Sequence, residues 1–248
     1  MSREEGIARL VACGLADSSA AVVVDHLLGA DAAGKGGHGM SRIPWLEGLL
    51  AGPIDAAARP ERVEQSDGFE RWHGRGALGY LTLAAICEAV VAEPPPRARV
   101  VVAEACFPTG VLGAWARQLA DAGLVAVVTA TSPRRLPHPD GGQPLTGTNP
   151  IAIAVPSTDG RPFVADVSMG AVTHGDVLVG RAAPEELVPF GGPSAHKSFA
   201  LAAGVELLVG ALAGPEPGAL VLVADPEHDP VPAFRALAQG LRLPGDRR

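Results

Sequence analysis

The sequence predicts an α/β protein in which helices flank a mixed β-sheet. The chain has 248 residues, 47% of them hydrophobic, which is enough to bury a sizeable core. Its second half alternates apolar segments of strand length with longer segments of helical pattern. It also has 31 glycines and 23 prolines, which mark many turns between short elements. A chain of this composition is not disordered as a whole.

Residues 1–93 are predicted to be mainly helical. Ser2 and Glu5 have the spacing of a capping box at the start of the first helix. The other elements predicted in this part are helices over Asp17–Gly34, Ser41–Leu50 and Gly79–Ala92, with short strands within residues 62–73. The prolines of Pro94–Pro96 end the last helix, because proline lacks an N–H and clashes inside a helix.

Residues 94–248 are predicted to form the core of the sheet and to pack with the first part as one compact unit. The predicted strands are Ala98–Ala105, Leu124–Thr131, Ile151–Val155, Pro162–Val167 and Ala219–Ala224. The predicted helices are Gly110–Ala122, Ser198–Leu212 and Pro232–Leu241. The Pro/Gly-rich segment Pro133–Gly142 is predicted to be a polar loop.

Charge and motif content narrow the classes of partner. The chain carries 20 Lys+Arg against 27 Asp+Glu, a formal charge of −7, so no nucleic-acid partner is expected. The first residues lack the pattern of a secretory signal, and no run of 18 apolar residues occurs, so we expect a cytoplasmic protein without membrane contact. The three isolated cysteines favour neither a disulfide framework nor a zinc site.

Several catalytic motifs are absent from the sequence. It has no GxxxxGK[ST], no HExxH and no GxSxG. His, Asp and Glu do not cluster at the spacing of metal ligands either, so no metal is expected. Acid–base chemistry is the class that remains.

The first candidate site is a glycine-rich turn that contains His38 and, about one helical turn later, Arg42. Glycines allow the backbone to approach a ligand closely, and an arginine can fork onto a carboxylate or sulfate. A histidine with an arginine therefore suits an anionic substrate. A histidine in such a turn can also serve only to bond backbone carbonyls, and both interpretations are open.

Three further segments are candidates. A Gly/Pro turn precedes His196 and Lys197 at a predicted helix start, which suits an anion or an ordinary solvated helix end. Gly147, Thr148 and Asn149 precede a strand and either present polar groups to a ligand or shape a turn. Asp166 ends an apolar strand, where it is either a base with a raised pKa or a strand cap.

Taken in order, these segments resemble the malate/L-lactate dehydrogenase family that lacks a Rossmann fold, which includes ureidoglycolate, sulfolactate and diketogulonate dehydrogenases and cyclic ketimine reductases. The motifs are His38–Pro44, Gly74–Gly79, Gly147–Pro150, Asp166, Gly191–Gly192, His196–Lys197 and Glu206–Leu208. The resemblance implies a three-layer α/β fold, a dimer, and NAD(P)-dependent interconversion of 2-hydroxy and 2-oxo acids or reduction of cyclic imines. It assigns substrate protonation and carboxylate binding to His38 and Arg42.

The sequence departs from the family pattern at four places. Pro108 stands where the family has a second active-site histidine. The segment between Asp166 and Gly191 is shorter than the one that helps to cover the cofactor in the family. Pro193–Ala195 is inserted, and the chain stops at Leu243–Arg248, where the family continues. By this comparison, residues 1–93 would bind the substrate and residues 94–248 would hold a shortened nucleotide-binding region.

These departures favour a non-redox enzyme of specialised metabolism that uses no cofactor. It would eliminate an anionic group such as sulfate or phosphate from a small anionic metabolite, free or attached to a carrier, or displace it by ring closure. The expected catalytic residues are His38, Asp166 and Lys197, and the expected substrate-binding residues are Arg42, Gly147, Thr148, Asn149 and His196. One alternative is an oxidoreductase that uses NAD or NADP with a 2-hydroxy acid, 2-oxo acid or cyclic imine. A second alternative is a non-catalytic structural partner.

The assembly state is predicted from the same departures. Without the C-terminal segment of the family, apolar sheet and helix surface would face water. We therefore expect a homodimer or a complex with a shorter companion chain.

Overall fold

In the computed structural model, residues 1–246 are described and form a seven-stranded mixed sheet with helices on both faces. The strands are β1 (Glu61–Ser66), β2 (Phe69–His73), β3 (Ala98–Glu104), β4 (Val125–Ala130), β5 (Leu136–His138), β6 (Gly141–Thr146), β7 (Ile151–Val155), β8 (Phe163–Val167) and β9 (Ala219–Ala224). The helices are α1 (Arg3–Ala12), α2 (Asp17–Ala32), α3 (Ile43–Leu50), α4 (Gly79–Ala92), α5 (Leu112–Asp121), α6 (His174–Leu178), α7 (Ala195–Ala213) and α8 (Val231–Leu237).

The large sheet has the order β1-β2-β3-β9-β4-β7-β8. Only β2 and β3 are parallel neighbours, and the other neighbouring pairs are antiparallel. β9 comes last in the chain but lies between β3 and β4 and pairs with both. As a result, β3 and β4 point in the same direction, and α5 makes the crossover between them.

Alternation along the strands produces three layers. In β3, Val101 and Ala103 belong to the large buried cluster that includes α4 and α5, with α1–α3 further out. Val102 points to the opposite face, where it packs against Val205 and Val209 of α7. The predicted α/β class with a mixed, helix-flanked sheet is therefore confirmed.

One predicted segment is wrong. Pro133–Gly142 was expected to be a polar loop, but β5 begins within it and pairs with β6 as a separate two-stranded sheet. Leu136 is the one buried apolar side chain in β5 and β6, and one apolar residue is too short a pattern to identify a strand. Helix α6 was not predicted either, because its apolar pattern is also too short to identify an element.

The division at residue 94 stays a prediction. Strands β1 and β2 of the first part join the same sheet as β3, and the largest buried cluster includes residues of both parts. Of the C-terminal segment Leu243–Arg248, the last two residues lie outside the described part of the chain.

Helix α7 has an unusual distribution of apolar residues. The stretch Gly192–Ala213, which includes it, is long and apolar enough to cross a membrane by length and composition, a test that helices of water-soluble proteins also pass. One side of α7 packs on β3. The other side, which we call the outer face of α7, exposes Leu201, Leu207 and Leu208.

Candidate functional site

A cavity of about 380 Å³ lies at one edge of the large sheet. Because β7 is antiparallel to β4 and β8, the start of β7 lies beside the ends of β4 and β8. The end of β3 lies at the same edge. This follows because β9 lies between β3 and β4 and is antiparallel to both, so β3 and β4 run in the same direction. The residues that follow or precede these strands form one wall of the cavity, and the glycine-rich turn and α6 complete it.

The glycine-rich turn, residues 34–39, holds His38 at the cavity by close backbone packing. Gly37 packs against the first turn of α6, where a Cβ on Gly175 would overlap the Gly37 carbonyl oxygen. A Cβ on Gly39 would overlap the carboxylate of Asp31, which accepts a hydrogen bond of 2.8 Å from the backbone N–H of Met40. Gly37 and Gly39 are therefore required for the close approach of neighbouring groups.

Arg42 is the most deeply buried cation of the cavity wall. The residue is 6% exposed, and its Nε and Nη1 have no hydrogen-bond partner among residues 1–246. Its guanidinium lies over the ring of Trp45, with the Cζ atom 4.5 Å from the ring centroid, which fixes its orientation. Burial lowers the pKa of Arg42. Buried donors without partners are costly, so this site is suited to an anion that would accept from them.

His38 is half-buried beside this arginine and lines the same cavity. Burial and, to a lesser extent, the charge of Arg42 lower the pKa of His38 to about 4, while Asp166 raises it. The imidazole is therefore neutral near pH 7, so it can accept a proton. A bound anion would favour its protonated form, so it can also donate one.

Asp166 is the next-to-last residue of β8 and forms an ion pair with Lys35 of the glycine-rich turn. The pair joins the turn to the edge of the sheet, and both residues line the cavity. Gly113 of α5 leaves room for the aspartate, because a Cβ there would lie 2.8 Å from its carboxylate. Asp166 is thus both a structural link and a charge near His38.

Of the other predicted site residues, Thr148 also lines the cavity. Asn149 is buried and turns away from it, donating to the Ala202 carbonyl (2.9 Å) and the Glu206 carboxylate (2.7 Å). Gly147 does not line the cavity, and its N–H approaches the same carboxylate at 3.5 Å. Asn149 therefore holds the turn against α7. Of the two alternatives given for this segment, this contact agrees with a role in shaping the turn.

The structure does not bring His196 and Lys197 to the cavity, which corrects their expected grouping with His38 and Arg42. Both are exposed in the first turn of α7 and are absent from the cavity wall. The preceding residues Gly192–Ser194 form a 3-10 turn, with Gly192 at a φ of +52°, and α7 begins from it at the surface. The sequence pattern identified a helix start but could not show which way it faces.

The cavity contains functional candidates that the sequence reasoning missed. Besides Lys35, they are Tyr80, Arg135, His174, Asp176 and Arg181. Lys35 could have been chosen from its place in the glycine-rich turn. Nothing local pointed to the others, because α6 was not predicted and Arg135 lay in a predicted loop. Pro108, where the family resemblance leads us to expect a second histidine, also lines the cavity.

Hydroxyl side chains are concentrated on the strand-end wall. Thr131 and Ser132 follow β4, Thr148 precedes β7, and Ser168 follows β8. Such groups can hydrogen-bond sugar hydroxyls and carboxamides. In the part of the chain that the structure describes, no group of three or more His, Cys, Asp or Glu side chains could hold a metal ion.

Three histidines in and under the cavity should make the fold sensitive to acid. Burial lowers the pKa of His26 to about 3 and those of His38 and His174 to about 4, from an ordinary value of 6.5. The unfolded chain therefore binds protons below pH 6.5 that the folded chain does not. Stability should be unaffected above pH 6.5, fall as the pH falls below it, and level off below the folded-state pKa values.

His26 provides the test of this prediction. It is buried and accepts a hydrogen bond of 2.8 Å from the Val111 N–H, which a glutamine carbonyl could replace. In His26→Gln, the loss of unfolding free energy between pH 7.5 and pH 5 should be smaller than in the wild type, by on the order of 1–2 kcal/mol. Urea unfolding at both pH values measures this difference, and His138→Gln, at a partly exposed histidine, is the control. Equal losses in all three proteins would contradict the prediction.

Comparison with known proteins adds independent information. A family model described as malate/L-lactate dehydrogenase matches residues 3–187. The sequence is 31% identical to (2R)-3-sulfolactate dehydrogenase (NADP(+)) of Chromohalobacter salexigens, over 98% of this chain and 87% of that protein. It is 28% identical to Delta(1)-pyrroline-2-carboxylate/Delta(1)-piperideine-2-carboxylate reductase of Pseudomonas putida, over 95% of this chain and 84% of that protein.

A solved structure agrees with these matches. The crystal structure of delta1-piperideine-2-carboxylate reductase from Pseudomonas syringae pvar. tomato is similar at a TM-score of 0.88 and 26% identity. The match covers 99% of this chain and 89% of that chain. All of these descriptions denote oxidoreductases. They favour the oxidoreductase alternative and give no support to the leading hypothesis of non-redox elimination or ring closure.

Proposed function

The chain belongs to the malate/L-lactate dehydrogenase family of oxidoreductases, and from this membership we propose that it reduces a small 2-oxo acid or cyclic imine with NADH or NADPH. The resemblance predicted from the ordered motifs is thereby confirmed. The observation that carries the proposal is the buried guanidinium of Arg42, without partners at two nitrogens and beside His38 in a cavity of suitable size. This is a binding site for a carboxylate next to a group that can move a proton.

Arg42 would bind the carboxylate that 2-oxo acids and cyclic imino acids share. Its Nε and Nη1 are the two atoms without partners among residues 1–246, and a guanidinium presents a planar fork of N–H donors to a carboxylate. The stacking on Trp45 holds this fork before the substrate arrives, which lowers the cost of ordering it. The carboxylate would in turn fix the reacting carbon at a defined distance from His38.

His38 would move the proton. In the reducing direction it would donate to the substrate oxygen or imine nitrogen, and in the oxidising direction its neutral form would accept that proton. Asp166 stabilises the protonated imidazole through space, whereas Arg42 disfavours it. A bound carboxylate offsets the charge of Arg42, so substrate binding itself would raise the pKa of His38 toward the working range.

The residues fit the nicotinamide end of the cofactor that the family uses. The hydroxyls of Thr131, Ser132, Thr148 and Ser168 supply hydrogen bonds for a carboxamide and a ribose, and Lys35 supplies a positive charge. When bound, a nicotinamide nucleotide supplies or accepts the hydride at the substrate carbon. The cavity of about 380 Å³ suits a ring and a small acid, so the rest of a dinucleotide would lie outside it.

The proposal is tested with the purified full chain. Oxidation of NADH and of NADPH is followed by absorbance with pyruvate, oxaloacetate, 3-sulfopyruvate and Δ1-pyrroline-2-carboxylate, and binding of both nucleotides is measured by calorimetry. Turnover of any of these acids with micromolar nucleotide binding supports the proposal. Folded protein that binds neither nucleotide at millimolar concentration and turns over none of the acids overturns it.

For the assembly, we propose a homodimer formed through the outer face of α7. The helix has 19 residues, about 28 Å in length, and Leu207 on its outer face is 74% exposed. On the same side of the sheet, Ile153 and Leu222 are also exposed. A second copy related by a two-fold axis presents the same apolar surface, so that each copy would cover the other.

The dimer prediction is checked by native mass. The double variant Leu201→Glu/Leu207→Glu is expected to shift a dimeric wild type to monomer, because four carboxylates of like charge, two from each copy, would be buried at the interface. Leu237→Glu on α8, also an exposed leucine, should remain dimeric. A wild type that is strictly monomeric at micromolar concentration, or that co-purifies with a shorter chain in place of a second copy, would contradict the homodimer.

A further inference from the structure

The cavity has more positive than negative charge, although the chain as a whole has a formal charge of −7. Its wall contains four cationic side chains and two carboxylates, which are Lys35, Arg42, Arg135, Arg181, Asp166 and Asp176. His38 and His174 are neutral near pH 7, because burial lowers both pKa values to about 4. Clustered positive charge attracts anions, so the cavity favours a ligand that supplies negative charge.

Both carboxylates already have cationic neighbours. Asp166 pairs with Lys35, and Asp176 lies 4.0 Å from Arg181. Among residues 1–246, no carboxylate lies within 4.0 Å of the guanidinium of Arg42 or of Arg135. The excess charge of the cavity therefore resides on these two arginines.

Arg135 enters the cavity from a different element than Arg42. It follows β4, whereas Arg42 precedes α3, and its side chain is partly buried. In the described residues its guanidinium makes one hydrogen bond, from Nη1 to the Pro133 carbonyl at 3.2 Å, so other donors remain for a ligand. Burial and the charge of Arg42 lower the pKa of Arg135, and both arginines lower the pKa of His174. The two guanidinium groups thus share one cavity.

We propose that the substrate is a dianion, whose second anionic group binds Arg135 while its 2-oxo carboxylate binds Arg42. The second group is a carboxylate or a sulfonate, since either accepts from a guanidinium fork. A monoanion would leave one of two mutually repelling, partly desolvated cations without a counter-charge. The inference rests on the proposed function for the reaction, but the binding of a dianion can be tested without turnover.

The kinetic test compares Arg135→Gln with Arg134→Gln. Arg134 is the adjacent residue, is exposed, and does not line the cavity, so it is a matched control for the loss of one positive charge. In the wild type, kcat/KM should be at least 30-fold higher for oxaloacetate or 3-sulfopyruvate than for pyruvate. In Arg135→Gln this ratio should fall by roughly 30-fold, and in Arg134→Gln it should not change. The two dianions distinguish a carboxylate from a sulfonate.

The binding test uses unreactive acids of equal chain length, succinate and butyrate, in calorimetry without cofactor. Tighter binding of succinate that is lost in Arg135→Gln supports the dianion site. Equal binding of the two acids, or a preference that survives in Arg135→Gln, overturns it. If no acid is reduced but the succinate preference depends on Arg135, the proposed reaction fails and the dianion site stands.

Discussion

Replacement of Arg42 with methionine is expected to lower kcat/KM for reduction of the preferred acid roughly 10²- to 10³-fold. Arg42 is the buried cation of the cavity with two unpartnered nitrogens, so its removal leaves the substrate carboxylate in a desolvated site without a counter-charge. Steady-state kinetics should show most of the loss in KM, because the carboxylate is bound in both the ground state and the transition state. Arg42→Lys keeps the charge without the fork and should lose less.

The same variant is expected to be more stable than the wild type. Methionine retains an apolar stem against Trp45 and removes a buried charge that has no partner, which should raise the free energy of unfolding by about 1–3 kcal/mol. Urea unfolding followed by circular dichroism measures this change. Loss of activity with a gain in stability separates a binding role from a structural one. Activity within threefold of the wild type would refute the carboxylate role of Arg42.

The second large effect is expected for His38→Gln, which should lower kcat by roughly 10²- to 10⁴-fold. Glutamine can hydrogen-bond the substrate but cannot donate or accept a proton at an ordinary pH, so binding should be affected less than turnover. His138→Gln is the matched control, because the His138 side chain is 44% exposed and lies outside the cavity.

The pH dependence of oxidation provides a further readout for His38. The neutral imidazole is the form that accepts a proton, so kcat/KM for oxidation of the hydroxy acid should rise as the pH increases through about 4 and then level off. This rise should be absent in His38→Gln. If the variant keeps both the wild-type kcat and the rise, another group transfers the proton.

Local signals were sufficient for most of the fold. The capping box of Ser2 and Glu5 gave the start of α1, and the three prolines after α4 gave its end, because caps and prolines act within one helical turn. The hairpin of β5 and β6 could not be predicted in this way. The hairpin is defined by the pairing of Leu136 with Thr146 across the turn. The apolar pattern of the sequence gives almost no indication of it.

The candidate site was predictable only where its residues are close in sequence. His38 and Arg42 share one turn, so glycine content and spacing were enough to select them. Arg135 and His174 approach them only because β4, β8 and α6 meet at one edge of the sheet, which depends on strand order. Lys197 was predicted to belong to the site but lies outside the cavity. An anion-binding pattern at a helix start does not reveal the direction in which that start faces.

The central place of β9 has a consequence for how the protein is made. A chain emerges from the ribosome from its N-terminus, so β1–β3 and β4–β8 are synthesised before the strand that joins them. Until residues 219–224 leave the exit tunnel, the ends of β3 and β4 are not held beside each other, and the cavity between them has no floor. A nascent chain therefore carries the residues of both halves of the site before it can form the site, which is completed only after β9 has emerged.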